Sequence, residues 1–135
     1  MQLHRQLGAD AVQLGTRFIA TPEASVHENY KRAVLEAGVA DSTLVGRGGH
    51  PLRLLKNSYS EKYERAERSG APEDELKTLY EKGSLKQAAL DGDIEWGRVE
   101  AGQSAGLVED IVPAGELLRR LAAELEEARR RLASL

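Results

Sequence analysis

Gly15, Thr16 and Arg17 follow directly on the apolar stretch "AVQL" and precede Phe18. A strand that runs into a glycine, a hydroxyl and a guanidinium has the makings of an anion site. In parallel α/β sheets and barrels, ligands sit at the carboxyl ends of the strands. There a glycine lets a phosphate approach the main chain, while successive N–H groups and a hydroxyl donate to it. Arg17 has two possible uses: charge for the anion, or a partner for a carboxylate on the wall. By spacing alone a plain turn is the better account of three such residues.

Other residue types capable of chemistry read mostly as structure. His27 falls at a helix start, His50 lies in a Gly/Pro-rich turn, "GGHP", and His4 is close to the first residue. None is paired with a second ligand at metal-binding spacing, so no metal is expected. "RGGHPLR" could offer an anion Arg47, Arg53 and glycine N–H groups, but a loop is the plainer reading. The carboxylates of "DGDIEW" are expected in a turn rather than in acid/base work. "ELEEARRRL" balances its arginines with glutamates and reads as a solvated helix face.

These residues need elements to position them. "MQLHRQLG" is expected to end a helix at Gly8, and "AVQLG" to form a short buried strand. A helix follows from a Ser25/Glu28 capping box, with Val26, Tyr30, Ala33, Val34 and Ala37 on one face and Gly38 at its end. "STLVGRGG" is expected to form a second strand with a glycine-rich turn. Beyond it the chain reads as helical: from a Ser58/Glu61 capping box, from Pro72 to Gly83, over "SLKQAALDGD", and from near Pro113. The last of these carries the stripe Leu117, Leu118, Leu121, Leu125, Ala128 and Leu132. Residues 1–57 thus hold a strand with its following helix and turn, and residues 58–135 a helical region, within one partial domain.

Size and composition agree with such a domain. The 135 residues are 41% hydrophobic and 30% charged, with one Phe, one Trp and four Tyr, so the core must be built mainly from Leu, Val and Ala. A net charge of −3 gives no nucleic-acid or anionic-membrane signature. The absence of cysteine excludes disulfides and thiolate metal sites. No apolar run approaches the roughly 20 residues of a membrane span, and the first residues lack a signal-peptide core; the default expectation is a cytoplasmic protein. Two short strands cannot make a stable sheet alone. The chain is therefore either an α-rich domain with a minor hairpin or a piece of something larger.

"GADAVQLGTRFIATPEASVHENYK" resembles the segment around the last barrel strand of the nitronate monooxygenase (2-nitropropane dioxygenase) family. The resemblance is carried by Gly8, Ala9, Val12, Gln13, Gly15, Thr16, Arg17, Phe18, Glu23, His27, Tyr30 and Lys31. "GHPLRLLKN" and "GSLKQAALDGDIEWGRVEAGQSAGLV" are also similar, the latter most of all to the related FMN-dependent enoyl-ACP reductase II branch. What the resemblance implies is an α/β fold: the C-terminal part of a TIM (β/α)8 barrel with appended helices, incomplete on its own. It implies FMN as cofactor, with Gln13, Gly15 and Thr16 at its phosphate and Gln103 as a weaker candidate. The family's catalytic histidine segment lies upstream of the matched region, so no catalytic residue is assigned.

Two classes of function are therefore expected. One is the C-terminal portion of an FMN-dependent oxidoreductase acting on alkyl nitronates, inactive alone, or its enoyl-ACP reductase II counterpart in fatty-acid synthesis. Its partners would be the missing N-terminal barrel portion or further copies of itself. The other is a non-catalytic helical interaction domain.

Overall fold

Capping side chains set most of the helix starts. The computed structural model describes residues 10–134. In chain order it contains α1 (Thr16–Ile19), α2 (Glu28–Glu36), β1 (Ser42–Val45), β2 (Leu52–Leu55), α3 (Ser58–Arg68), α4 (Glu73–Lys82), α5 (Leu85–Ala89), a 3₁₀ turn over Gln103–Leu107, and α6 (Ala114–Ala133). At α5 the Ser84 hydroxyl accepts the Gln87 N–H while the Gln87 carboxamide accepts the Ser84 N–H, satisfying two end groups reciprocally. Pro72 precedes α4 and Gly83 follows it, as its sequence predicts.

Four expectations need correction or fall outside the described residues. Residues 11–14 form no strand: a parallel strand draws its hydrogen bonds from neighbours, and no described residue pairs with this one. The Ser25/Glu28 box does not form; α2 starts later because the His27 ring Nδ1 accepts the Asn29 N–H at 3.1 Å. The box at α3 is shifted by one residue, with Asn57 and Ser60 exchanging hydrogen bonds of 2.9 Å. The helix expected over residues 1–8, and His4 within it, lie outside the described residues.

The second expected strand is β1, and it pairs antiparallel with β2 in the register Ser42↔Leu55 through Val45↔Leu52. Gly46 makes the turn at φ +73°, where an added Cβ would sit 2.2 Å from the His50 carbonyl oxygen. "RGGHPLR" is thus largely the hairpin connection. The Arg47 N–H donates to Glu67 and the Arg53 guanidinium to the Ser42 hydroxyl.

Two small apolar clusters hold these elements. The first joins Tyr30 and Val34 of α2 to Leu55, Ala88, Val99 and Ala105. The second packs Val45 and Leu54 of the hairpin against Tyr59, Tyr63 and Leu79. Each therefore draws on both sides of residue 57. Close approach replaces bulk: at Gly83 a Cβ would fall 2.3 Å from the Tyr59 ring, and at Gly97 it would fall 2.4 Å from the Asp93 carbonyl oxygen. The Tyr59 hydroxyl itself is buried and has no hydrogen-bond partner among the described residues.

Long-range hydrogen bonds then tie residues 16–31 to residues 89–114. The Gly102 N–H donates to Thr16 Oγ1 at 2.8 Å, the Tyr30 hydroxyl to the Glu100 carbonyl at 2.7 Å, and the His27 N–H to the Ala89 carbonyl at 2.6 Å. The Asn29 side chain donates to the Gly92 carbonyl at 3.0 Å. Glu23 accepts the Ala114 N–H and so caps the start of α6. Arg17 forms an ion pair with Asp110, which also accepts from Arg120. The buried Lys31 ammonium is neutralised by Glu28 at 3.0 Å and bonds the Pro22 carbonyl.

Burial pushes the Tyr59 hydroxyl up to about 12 from its ordinary 10.0. Between those values the folded chain holds a proton that the unfolded chain releases, so stability falls as pH rises through the window. Tyr59→Phe should make this alkaline decline shallower while leaving stability at pH 7 equal or higher, since it removes an unsatisfied buried hydroxyl. Urea unfolding at pH 7 and pH 11 checks both expectations. The hydrogen bond from Arg120 holds Asp110 below its ordinary 3.8 against the opposing cost of desolvation, with the charges of Arg120 and Arg17 adding. A lowered folded value contributes stability that is present above the unfolded value and lost as pH falls through the folded one. Asp110→Asn should therefore destabilise the protein at pH 7 by an amount that fades below pH 3.8 and in high salt. A difference independent of both would contradict the ion-pair account.

Candidate functional site

Gln13, Leu14, Gly15, Thr16 and Arg17 line one side of an open concavity of about 360 Å³, with Ser104, Leu107 and Val108 opposite. The first side is the stretch leading into α1, and the second is the 3₁₀ turn and the residue after it. Both walls are positioned by the Gly102–Thr16 bond. Gly15 is exposed, and a Cβ built on it would meet nothing within 4 Å. Its φ of −102° suits any residue, so the glycine is not needed for conformation. What it leaves bare is main chain facing open space.

Thr16 is held in a useful state. Its oxygen accepts from Gly102, so its own proton remains to be donated. No side chain caps α1, so the N–H groups at its start are not engaged by a cap. Bare main chain, a hydroxyl with a free proton and the Ser104 side chain together suit an oxyanion. Arg17 lines the same space, but its guanidinium bonds the Ala20 carbonyl at 3.3 Å, the Asp110 carbonyl at 3.1 Å and the Asp110 carboxylate. Of its two readings, the structure favours the wall carboxylate. Donors available to an anion here are therefore neutral.

The other candidates are dispersed. Gln103 is exposed at the start of the 3₁₀ turn and does not line the concavity, whereas Ser104 beside it does. His27 caps α2 with its ring against Gly92, where a Cβ would fall 2.4 Å from Nδ1. The His50 ring lies 6.1 Å from that of Tyr80. In "DGDIEW", Asp93 accepts the Glu95 and Trp96 N–H groups, which makes it a turn former. Sequence reasoning missed Ser104, Leu107 and Val108. The cue within reach was the small-residue run "AGQSAG", whose glycines permit close approach to neighbouring segments.

Comparison with known proteins gives this geometry a family. A family model described as nitronate monooxygenase matches residues 5–124. The nitronate monooxygenase of Paraburkholderia phytofirmans is 34% identical over 90% of this chain, and that of Pseudomonas aeruginosa 35% identical over 89%. The chain spans only about a third of the length of these relatives, 33% and 34% respectively. Among solved structures, FabK from Thermotoga maritima superimposes with a TM-score of 0.86 at 34% identity, covering 96% of this chain and 41% of its own. Nitroalkane oxidase from Streptomyces ansochromogenes gives 0.69 at 34% identity, covering 94% and 36%. Its sequence, its motif positions and its superposition agree: the chain belongs to the nitronate monooxygenase family.

Proposed function

We propose that this chain supplies the phosphate end of an FMN site in a flavin-dependent oxidoreductase, and that the rest of a TIM barrel completes the enzyme. One observation carries the reading: the bare main chain of Gly15 lies beside a Thr16 hydroxyl whose acceptor side is taken by Gly102, leaving its proton for an anion. A barrel of this type takes about 250 residues, more than the 135 of this chain and within the length of relatives about three times as long. The residues present fit a phosphate. Among the described residues lining the concavity there is no aromatic ring, and Arg17, the one charged side chain there, is engaged by Asp110.

In the assembled enzyme the flavin supplies the redox chemistry, as cofactors of this kind do. The work of this chain is positional. Gly15 admits the phosphate close to the main chain, Thr16 and Ser104 donate to it, and Gln13 reaches it from the rim. Leu107 and Val108 give the open concavity an apolar side. Arg17 and Asp110 hold the wall in place. The substrate class of this reading is alkyl nitronates, after the relatives' names. The enoyl-ACP reductase II branch is the second reading, favoured by the folding of "AGQSAG" directly onto Thr16. No described helix is long and apolar enough to cross a membrane, and the reading takes the enzyme as cytoplasmic.

The test is FMN titration followed by fluorescence quenching, with the chain alone and with a fragment carrying the upstream strands of a relative's barrel. Binding should appear or strengthen with the fragment. In the assembled form Gly15→Val should weaken FMN on the order of tenfold or more by crowding the phosphate, and Thr16→Ser much less, since the hydroxyl is kept. Thermal unfolding should be nearly unchanged by Gly15→Val, because the added methyls meet open space. Unchanged FMN affinity in Gly15→Val would overturn the phosphate assignment. Absence of FMN binding in every combination would favour the non-catalytic interaction domain.

A further inference from the structure

α6 is rooted in the body of the molecule and then leaves part of its apolar face open to solvent. Its start is fixed by Glu23 on the Ala114 N–H and by the Arg120 bonds to Asp110 and Glu116. Leu117 is the one buried residue described in the helix. Leu118 is 57% exposed and Leu132 39% exposed, Leu121, Leu125 and Ala128 between them are half-buried, and none of these leucines belongs to either apolar cluster.

The spacing of that face is specific. Leu118, Leu121, Leu125, Ala128 and Leu132 alternate steps of three and four, the pattern of a coiled-coil seam with Leu118, Leu125 and Leu132 at one core position. On the seam's flanks, Glu124 precedes a core leucine and Arg129 follows a core alanine. In a parallel pair these flanking positions, five residues apart, meet across the interface. Glu124 of one copy then faces Arg129 of the other, twice by symmetry. Glu124 forms no ion pair among the described residues, and Arg129 bonds only Glu126 on the exposed surface, so both can take up the contact. Parallel alignment also stacks each core leucine on its own copy.

We infer that residues 118–132 of α6 pair with the same residues of a second copy of this chain as a short parallel coiled coil, with Glu124 and Arg129 setting the register. The seam is about 22 Å long. It lies on the opposite part of α6 from its root and does not depend on the flavin reading.

The test is analytical ultracentrifugation of the full chain across a concentration series. The wild type should show a reversible monomer–dimer equilibrium, and Leu125→Glu should abolish it. Glu124→Arg and Arg129→Glu should each weaken the dimer roughly fivefold or more, and the double exchange should restore it. Both charged positions are exposed, so circular dichroism should show each variant folded. The chain has no cysteine, so Leu132→Cys should form an intermolecular disulfide on mild oxidation, which parallel pairing alone allows. A monomer at every concentration, a dimer indifferent to Leu125→Glu, failure of the double exchange to restore pairing, or no Leu132→Cys cross-link would each overturn the inference.

Discussion

Residues 16–31 are held against residues 89–114 by a set of hydrogen bonds that span most of the chain, and the rest of the structure depends on that closure. The pairs are Thr16–Gly102, Arg17–Asp110, Glu23–Ala114, His27–Ala89, Asn29–Gly92 and Tyr30–Glu100. Closing a loop of such length costs about 4 kcal/mol beyond the constant term. One hydrogen bond contributes about 1 kcal/mol net. No single pair can therefore close the loop, but several acting together can. The Ala- and Val-rich cluster beneath them favours the same arrangement.

The same closure shapes the site. Thr16 meets Gly102 because the chain after Val99 is drawn back under α2, and this brings Ser104, Leu107 and Val108 opposite Gly15. Most polar side chains of the motif are occupied with structure: Arg17 with Asp110, Glu23 with α6, Tyr30 with a carbonyl and Lys31 with Glu28. Gly15 stays bare because nothing in the fold packs where its side chain would be. A motif that looks like a list of reactive groups is thus mainly a set of ties, with one open patch of main chain left between them.

Much of this was legible in the amino-acid sequence where the cause is local. Pro72 and Gly83 bound α4, the Leu stripe marks α6, and the glycine-rich turn after "STLV" closes the hairpin. Gly15, Thr16 and Gln13 do share one concavity, as their adjacency suggests. What was not legible is what depends on distant partners. "AVQL" has strand composition but no described neighbour to pair with. His27 displaces Ser25 as the cap of α2 because its main-chain N–H is bound to the Ala89 carbonyl and its ring packs against Gly92, contacts more than sixty residues away. Gln103 looked like a ligand by resemblance, yet the 3₁₀ turn directs Ser104 into the concavity instead. Arg17 offered two roles, and only the position of Asp110 separates them.

Amide hydrogen exchange at Gly102 is the most direct measure of the closure, because its N–H is bound only through the fold that brings Thr16 to it. If residues 16–31 and 89–114 form one cooperative unit, this amide exchanges only when that unit opens, with protection matching the amides of Tyr30 and Leu55. If Gly102 exchanges at the rate of a free amide while those of Tyr30 and Leu55 stay protected, the two segments are not tied together, and the geometry of the site does not follow from them.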